Sequence, residues 1–132
     1  MEIPHILNGG KWMQISTQLT QMQEEFVRTC FKRYVAGDDK DIVKYSAHSL
    51  EELDNDGISE TFLEESMISC ELVSSHWEQP YTSYKCIFLC ETKGFPPFHV
   101  VCMLNDFIYV KTAYIVDKKL FKNNRIRRRK KM

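Results

Sequence analysis

Two histidines and a small set of cationic and aromatic side chains are the residues of this sequence best suited to chemistry. His48 and His99 carry imidazoles, which titrate near neutrality and can exchange protons at physiological pH. Lys111 supplies a positive charge, and Tyr81 and Tyr114 supply rings that can stack on a base or donate a proton. Together these residue types can transfer protons, stabilise a negative charge that develops during a reaction, and stack on a planar ring.

Each of these residues also has a structural interpretation. His99 lies in an apolar run and suits a core position where its ring is hydrogen-bonded to a neighbour. His48 suits the ordering of a loop at a helix start, and Lys111 suits a solvated position on a strand. Tyr114 suits the core or its rim. The residue types alone leave these alternatives open.

Other kinds of active site find little support. The chain contains no Gly-rich phosphate loop and no Gly-x-Ser-x-Gly motif, and no spacing of carboxylates and histidines favours a metal site. The sequence therefore predicts no metal and no cofactor.

Five scattered cysteines argue against a disulfide framework. Cys86 and Cys90 would lie roughly 13 Å apart on a strand, at about 3.3 Å per residue, which is too far to share one zinc ion. We expect buried structural thiols.

The formal net charge is zero, but the charges are unevenly distributed. Residues 118–131 contain nine basic residues and no acidic one, so the rest of the chain carries nine basic and 18 acidic residues. Within this basic tail, Arg125, Arg127 and Arg128 are the candidates to bind phosphate together with Lys111. A basic tail on an acidic body can seek nucleic acid, fold back on its own domain, or remain a disordered end.

The elements that must position these side chains centre on a predicted β-hairpin. Its arms are Phe98–Leu104 and Phe107–Val116, and the turn residues Asn105 and Asp106 both tolerate positive φ. The first arm is almost wholly apolar, which predicts a central strand covered on both faces. Strict alternation along the second arm places Phe107, Tyr109, Lys111, Ala113 and Ile115 on one face and Ile108, Val110, Thr112, Tyr114 and Val116 on the other.

Helical patterns precede the strands. The predicted helices are Ser16–Tyr34, Ser46–Asn55 and Glu60–Ile68, and two further strands are predicted at Glu71–Trp77 and Tyr84–Glu91. Strands joined by short connections pair antiparallel. The sequence thus predicts an α+β fold with N-terminal helices packed on a four-stranded antiparallel sheet. The apolar stripe of the first helix suits this packing, or alternatively a partner-binding face.

The length and the lack of a linker predict a single domain, 1–132. Within it we distinguish an N-terminal extension with the long helix, 1–40, and the basic C-terminal tail, 118–132. No apolar run has the length of a membrane helix, and the N-terminus lacks the features of a secretory signal. We therefore expect a cytoplasmic protein.

Several short motifs resemble an uncharacterised prokaryotic domain family. They are Tyr45-Ser-Ala-His48, Gly57-Ile58-Ser59-Glu60, Pro80-Tyr81, Phe98-His99-Val100-Val101, Lys111-Thr112-Ala113-Tyr114-x-x-Asp117 and the Arg-rich end from Arg125. The resemblance covers about residues 43–130, with a family-like core at 43–117. The family is grouped with the RelE and BrnT toxins of toxin–antitoxin modules, which are small α+β proteins and typically ribonucleases acting on messenger RNA.

The resemblance implies a toxin-like endoribonuclease with a RelE/BrnT-like fold. His48 and His99 would be its acid and base, and Tyr114 would orient the substrate. RNA would be the substrate, and an antitoxin with an acidic or helical segment would be the expected protein partner.

One departure from the family pattern supports a second hypothesis. Glu52 and Asp56 stand where the family has two arginines, within an acidic stretch that also contains Glu51 and Asp54. If those arginines contact phosphate in relatives, this chain has exchanged attraction for repulsion. The alternative is therefore a non-catalytic protein-binding member of the same fold, an inhibitor, immunity protein or adaptor, whose acidic surface binds a partner.

Overall fold

The computed structural model describes the backbone of residues 9–119 and 121–127, and the side chains of 19–119 and 123–125. Three helices precede most of the strands. The helices are α1 (Gly9–Val35), α2 (Ala47–Asp56) and α3 (Glu60–Met67). The strands are β1 (Val43–Tyr45), β2 (Glu71–Glu78), β3 (Ser83–Cys90), β4 (Phe98–Leu104), β5 (Ile108–Ile115), β6 (Phe121–Lys122) and β7 (Ile126–Arg127), with a 3-10 turn at Gln79–Tyr81. No helix in this part of the chain is both long and apolar enough to cross a membrane.

The α+β class is confirmed, but the sheet differs from the predicted four antiparallel strands. It has five strands in the order β1-β5-β4-β3-β2, and β1 runs parallel to β5 whereas the other pairs are antiparallel. The additional strand is only three residues long, which is too short for a periodicity signal. It joins the sheet because Val43 packs into the core beside Ile108.

The main core lies between the three helices and one face of the sheet. Val27 and Phe31 from α1, Leu53 from α2 and Leu63 from α3 pack against inward side chains of the strands. The strand residues are Cys86, Phe88, Cys90, Phe98, Val100, Cys102, Ile108, Val110 and Ala113. Part of the apolar stripe of the long helix thus packs on its own sheet, whereas Met22 and Phe26 of that stripe remain exposed. We call the other face of the sheet the open face.

Because of a β-bulge, the side chains of the last long strand, β5, do not alternate between the two faces as predicted. Val101 pairs with Thr112 and Cys102 pairs with Val110, so Lys111 is an extra residue without its own partner on β4. The bulge reverses the alternation beyond this point, and Ala113 joins Val110 in the helix-side core. Strict alternation had placed these two residues on opposite faces.

The hairpin turns also differ from expectation. Neither Asn105 nor Asp106 has a positive φ, and the turn is closed by a bond from the amide of Asn105 to the carbonyl of Phe107. Positive φ occurs instead at Asn123 and Asn124, which connect β6 to β7. This small hairpin was not predicted, although paired asparagines are a known turn signal.

The cysteines lie in the core, as their scatter predicts. All five thiols are free and buried. Burial raises the pKa of Cys86 to about 11 and that of Cys70 to about 12. Because the thiolate is the reactive form, these thiols are inert near neutral pH.

Candidate functional site

A groove of about 620 Å³ lies on the open face, at the end of the sheet where β4 turns into β5. This volume is in the range typical of small-ligand sites. Met103 and Tyr109, which are cross-strand partners, contribute apolar surface, and Tyr81 and Phe107 add two further rings. Its polar lining comes from Ser46, His48, Ser83, Asn105 and Lys111. No acidic side chain belongs to the described lining.

The 3-10 turn presents an aromatic ring at the rim of this groove. Pro80 suits the first positions of such a turn, and Thr82 ends it in the left-handed conformation with φ of 45°. Tyr81 consequently remains 61% exposed. The Nζ of Lys111 lies 5.5 Å from the centroid of the Tyr81 ring, a cation–π contact that places a positive charge beside an accessible ring.

Helix α2 brings the imidazole of His48 to the same groove. Ser46 caps the helix by accepting a hydrogen bond from the amide of Ser49 at 3.0 Å. The same hydroxyl donates to the carbonyl of Lys111 at 2.8 Å, which fastens the helix start to the β-bulge. His48 is largely exposed, and its Nε2 lies 3.9 Å from an oxygen of Glu52 one turn along. The cap and the bulge together explain why His48 and Lys111 line one groove.

Ser83, at the start of β3, is a groove residue that the sequence did not indicate. It is 2% exposed, and its Oγ has no hydrogen-bond partner in the described part of the chain. Buried hydroxyls are usually paired, so an unpaired one in a groove wall calls for an explanation. A lone serine beside a turn carries no signal in one sequence, and only the packing distinguishes it.

The second predicted histidine occupies a closed position. His99 is fully buried, and its Nε2 lies 2.6 Å from the carbonyl oxygen of Asn124. A carbonyl only accepts, so Nε2 carries the proton, and in the neutral ring Nδ1 accepts from the hydroxyl of Tyr114 at 3.2 Å. Burial lowers the pKa of His99, opposed by the bond to the carbonyl. A neutral ring held on both nitrogens is the arrangement of a structural histidine.

Arg125 is also engaged within the chain. Its Nε and Nη2 bind the two oxygens of Glu71 at 2.6 and 2.8 Å, and Nη2 lies 3.6 Å from Glu91. The hydrogen bond with Arg125 lowers the pKa of Glu71. The tail therefore folds back on the acidic body over this segment. The side chain of Arg127 and the whole of Arg128 lie outside the described residues.

The structure thus divides the predicted site into two groups. His48 and Lys111 line the groove with Tyr81, whereas His99, Tyr114 and Arg125 lie near the opposite end of the open face. His99 is four residues before the groove residue Met103 on β4, a separation of about 13 Å at roughly 3.3 Å per residue. The two histidines are therefore not placed to share one scissile bond.

The four acidic candidates of α2 separate in a similar way. Glu52 lies beside His48, and an oxygen of Asp56 accepts from the amide of Ile115 at 3.4 Å. Glu51 and Asp54 are exposed. Of these four candidates, Glu51 and Asp54 are therefore the two that present their carboxylates to solvent.

Among the described residues, no three or more His, Cys, Asp or Glu side chains are arranged to hold a metal ion. Comparison of the chain with protein-family models, curated proteins and solved structures finds no match.

Proposed function

We propose that this protein acts on RNA as a toxin-like endoribonuclease and that the groove is its active site. The observation that supports this function is the joint presence of an imidazole, an ammonium group and an accessible ring, on His48, Lys111 and Tyr81. Single-stranded RNA offers phosphates for the cation and unstacked bases for the ring. Among the described residues, the lining includes the ammonium group of Lys111 and no carboxylate, which favours an anionic ligand.

His48 takes the role of base in this proposal. Its imidazole removes the proton of a ribose 2′-hydroxyl, and the 2′-oxygen attacks the adjacent phosphorus. Lys111 stabilises the negative charge that develops on the phosphate oxygens. The bond to the 5′-oxygen breaks, that oxygen takes a proton from solvent, and a 2′,3′-cyclic phosphate remains. His48 is exposed, so solvent reaches the site.

His99 and Tyr114 take a structural role in the proposal instead of their predicted catalytic one. His99 is hydrogen-bonded to the hydroxyl of Tyr114 and to the carbonyl of Asn124, which engages both of its ring nitrogens. Arg125 joins them, because its charge is already paired with Glu71.

The test is cleavage of a 5′-labelled single-stranded RNA by purified protein in the presence of a chelator. We expect products ending in a 2′,3′-cyclic phosphate, and His48→Ala lowering the rate by roughly 10²–10⁴-fold, as removal of a general base does. His76→Ala is the matched control, since His76 is also exposed and paired with a carboxylate, Glu78, but lies outside the groove lining. A wild-type protein that neither binds nor cuts RNA contradicts the proposal.

Salt dependence distinguishes phosphate binding from other recognition. RNA affinity is expected to fall as salt rises, with a shallower slope for Lys111→Ala. Deletion of residues 118–132 would not test phosphate binding alone. It would also remove the hydrogen bond between Asn124 and His99 and the ion pair between Arg125 and Glu71. Single substitutions keep these contacts intact.

The second candidate is non-catalytic protein binding, and the exposed carboxylates of Glu51 and Asp54 favour it. For this second candidate the partner would be a basic protein that recognises the acidic surface. For the first candidate, the endoribonuclease, the predicted partner is an antitoxin. Replacing Glu51 and Asp54 by Lys is expected to abolish partner capture if this candidate is right. If the variant with Lys at both positions still captures the partner and His48→Ala loses RNA cleavage, the first candidate function is favoured.

A further inference from the structure

The hydroxyl of Ser83 is the feature of the groove that RNA cleavage does not require. Ser83 is almost fully buried, its Oγ is unpaired among the described residues, and the residue lines the groove. An unpaired buried hydroxyl lowers stability, because it loses its bonds to water without replacing them. A binding partner that enters the groove can restore this lost hydrogen bond.

The backbone of Ser83 forms part of the sheet, which leaves its side chain available to bind a ligand in the groove. Ser83 pairs with Glu78 in the ladder between β2 and β3, directly after the left-handed residue Thr82. The hydroxyl itself is covered in the present rotamer. A rotation of χ1 between staggered positions moves the oxygen without disturbing that ladder.

The surfaces beside Ser83 suit a flat, aromatic ligand. Met103 and Tyr109 are cross-strand neighbours in the groove, and Tyr81 adds an exposed ring at the rim. Methionine and tyrosine side chains both pack well on planar rings. Lys111 lies over the Tyr81 ring, so the charged part of the ligand belongs on that side.

These observations describe a ligand with an aromatic ring, a polar ring edge and an attached anion. An unpaired nucleotide has all three, and a free phosphate lacks the first two. A serine hydroxyl both donates and accepts, so it can bond to an amino group or to a carbonyl on a base edge. The neutral Ser83 hydroxyl therefore suits the base, and the Lys111 ammonium suits the phosphate.

We propose that Ser83 reads the polar edge of a single unpaired nucleobase held in this groove, and so gives the protein a base preference. The inference rests on the proposed action on RNA and adds the part of the substrate that is recognised. It makes Ser83 a specificity residue and leaves the chemical step to His48.

The experiment measures binding of the four nucleoside 5′-monophosphates and of ribose 5-phosphate by NMR titration of the full chain. These probes contain no phosphodiester, so cleavage does not interfere. We expect wild-type protein to prefer one nucleotide and to bind ribose 5-phosphate clearly more weakly. Ser83→Ala is expected to weaken binding of the preferred nucleotide by about five- to tenfold, the effect of one hydrogen bond, and to narrow the differences among the four.

Ser83→Ala should fold, because removing an unsatisfied hydroxyl leaves the melting temperature unchanged or raises it. Ser66→Ala is the matched control, since Ser66 is also a buried serine but its hydroxyl lies 3.4 Å from that of Thr92 and is outside the groove lining. It should keep the nucleotide affinities of the wild type.

Three results would overturn the inference. If Ser83→Ala keeps the nucleotide affinities and the base preference of the wild type, base recognition by Ser83 is wrong, and the proposed action on RNA is unaffected. An equal loss for ribose 5-phosphate shows that the hydroxyl contacts sugar or phosphate instead. A wild-type protein that binds no nucleotide and no RNA overturns both this inference and the proposed function.

Discussion

His99 illustrates how one residue type can suit two roles until its surroundings are known. The ring is fully buried, and the carbonyl of Asn124 requires the proton on Nε2. The hydroxyl of Tyr114 then meets the unprotonated Nδ1. Burial also lowers the pKa of the His99 ring, so the fold favours the neutral form.

The first prediction concerns the pH dependence of stability. Because the folded pKa of His99 lies below its ordinary value of 6.5, the unfolded chain binds the proton first. The stability contributed by neutral His99 is present above pH 6.5 and is lost as pH falls through the lower, folded pKa. His99→Gln should lose this component and should cost roughly 1–3 kcal/mol at pH 8. Urea unfolding of both proteins from pH 8 to 5 measures it, and parallel pH curves would refute it.

The second prediction concerns Glu71, whose pKa is lowered chiefly by its hydrogen bond to Arg125. Arg125→Ala should raise the pKa of Glu71 toward 4.5, the ordinary value for a glutamate. Arg125→Lys should raise it less, because it keeps the charge but not the two-pronged bond. Carboxyl chemical shifts in an NMR titration report this directly. An unchanged Glu71 titration in Arg125→Ala would show that the pair does not persist in solution.

At the scale of elements, the connection between α2 and β5 determines the groove. The bulge at Lys111 interrupts the alternation of β5, and Ser46 joins that interruption to the helix that carries His48. Bulges commonly re-aim side chains at functional sites. The groove depends on this junction rather than on any one strand.

The third prediction compares two helix caps. Ser59→Ala removes a simple cap, a bond to the amide of Phe62, and should cost about 1 kcal/mol. Ser46→Ala removes a cap and the bond to the Lys111 carbonyl, so it should cost more, about 1.5–3 kcal/mol. Chemical denaturation of both variants measures the difference. Equal costs would mean that the bond between Ser46 and Lys111 adds nothing to stability.

At the scale of the whole molecule, the sheet separates a closed core from the candidate site. The helices cover one face completely enough to bury Phe88 and Phe98, whereas the open face carries the groove at one end and the β6–β7 hairpin at the other. The main core and the candidate groove therefore lie on opposite faces of the sheet.

The fourth prediction tests this division. Phe88→Ala should cost about 3–5 kcal/mol, because it leaves a cavity between α-helices and sheet. Met22→Ala, on the exposed side of α1, should change stability by less than about 0.5 kcal/mol. Thermal and chemical unfolding provide the comparison. A small loss for Phe88→Ala would contradict the assignment of the core to this face.

Sequence alone predicted the elements whose signals are local. The helical patterns of the three helices and the apolar run Phe98–Leu104 each depend on nearby residues. The structure places α2, α3 and β4 within one residue of the predicted bounds, whereas α1 begins at Gly9, seven residues before the predicted start at Ser16. Only tertiary structure determined the parallel strand β1 and the bulge at Lys111, because both depend on partners far along the chain. For the same reason, the separation of His48 from His99 and the unpaired hydroxyl of Ser83 are consequences of packing, which one-dimensional patterns do not encode.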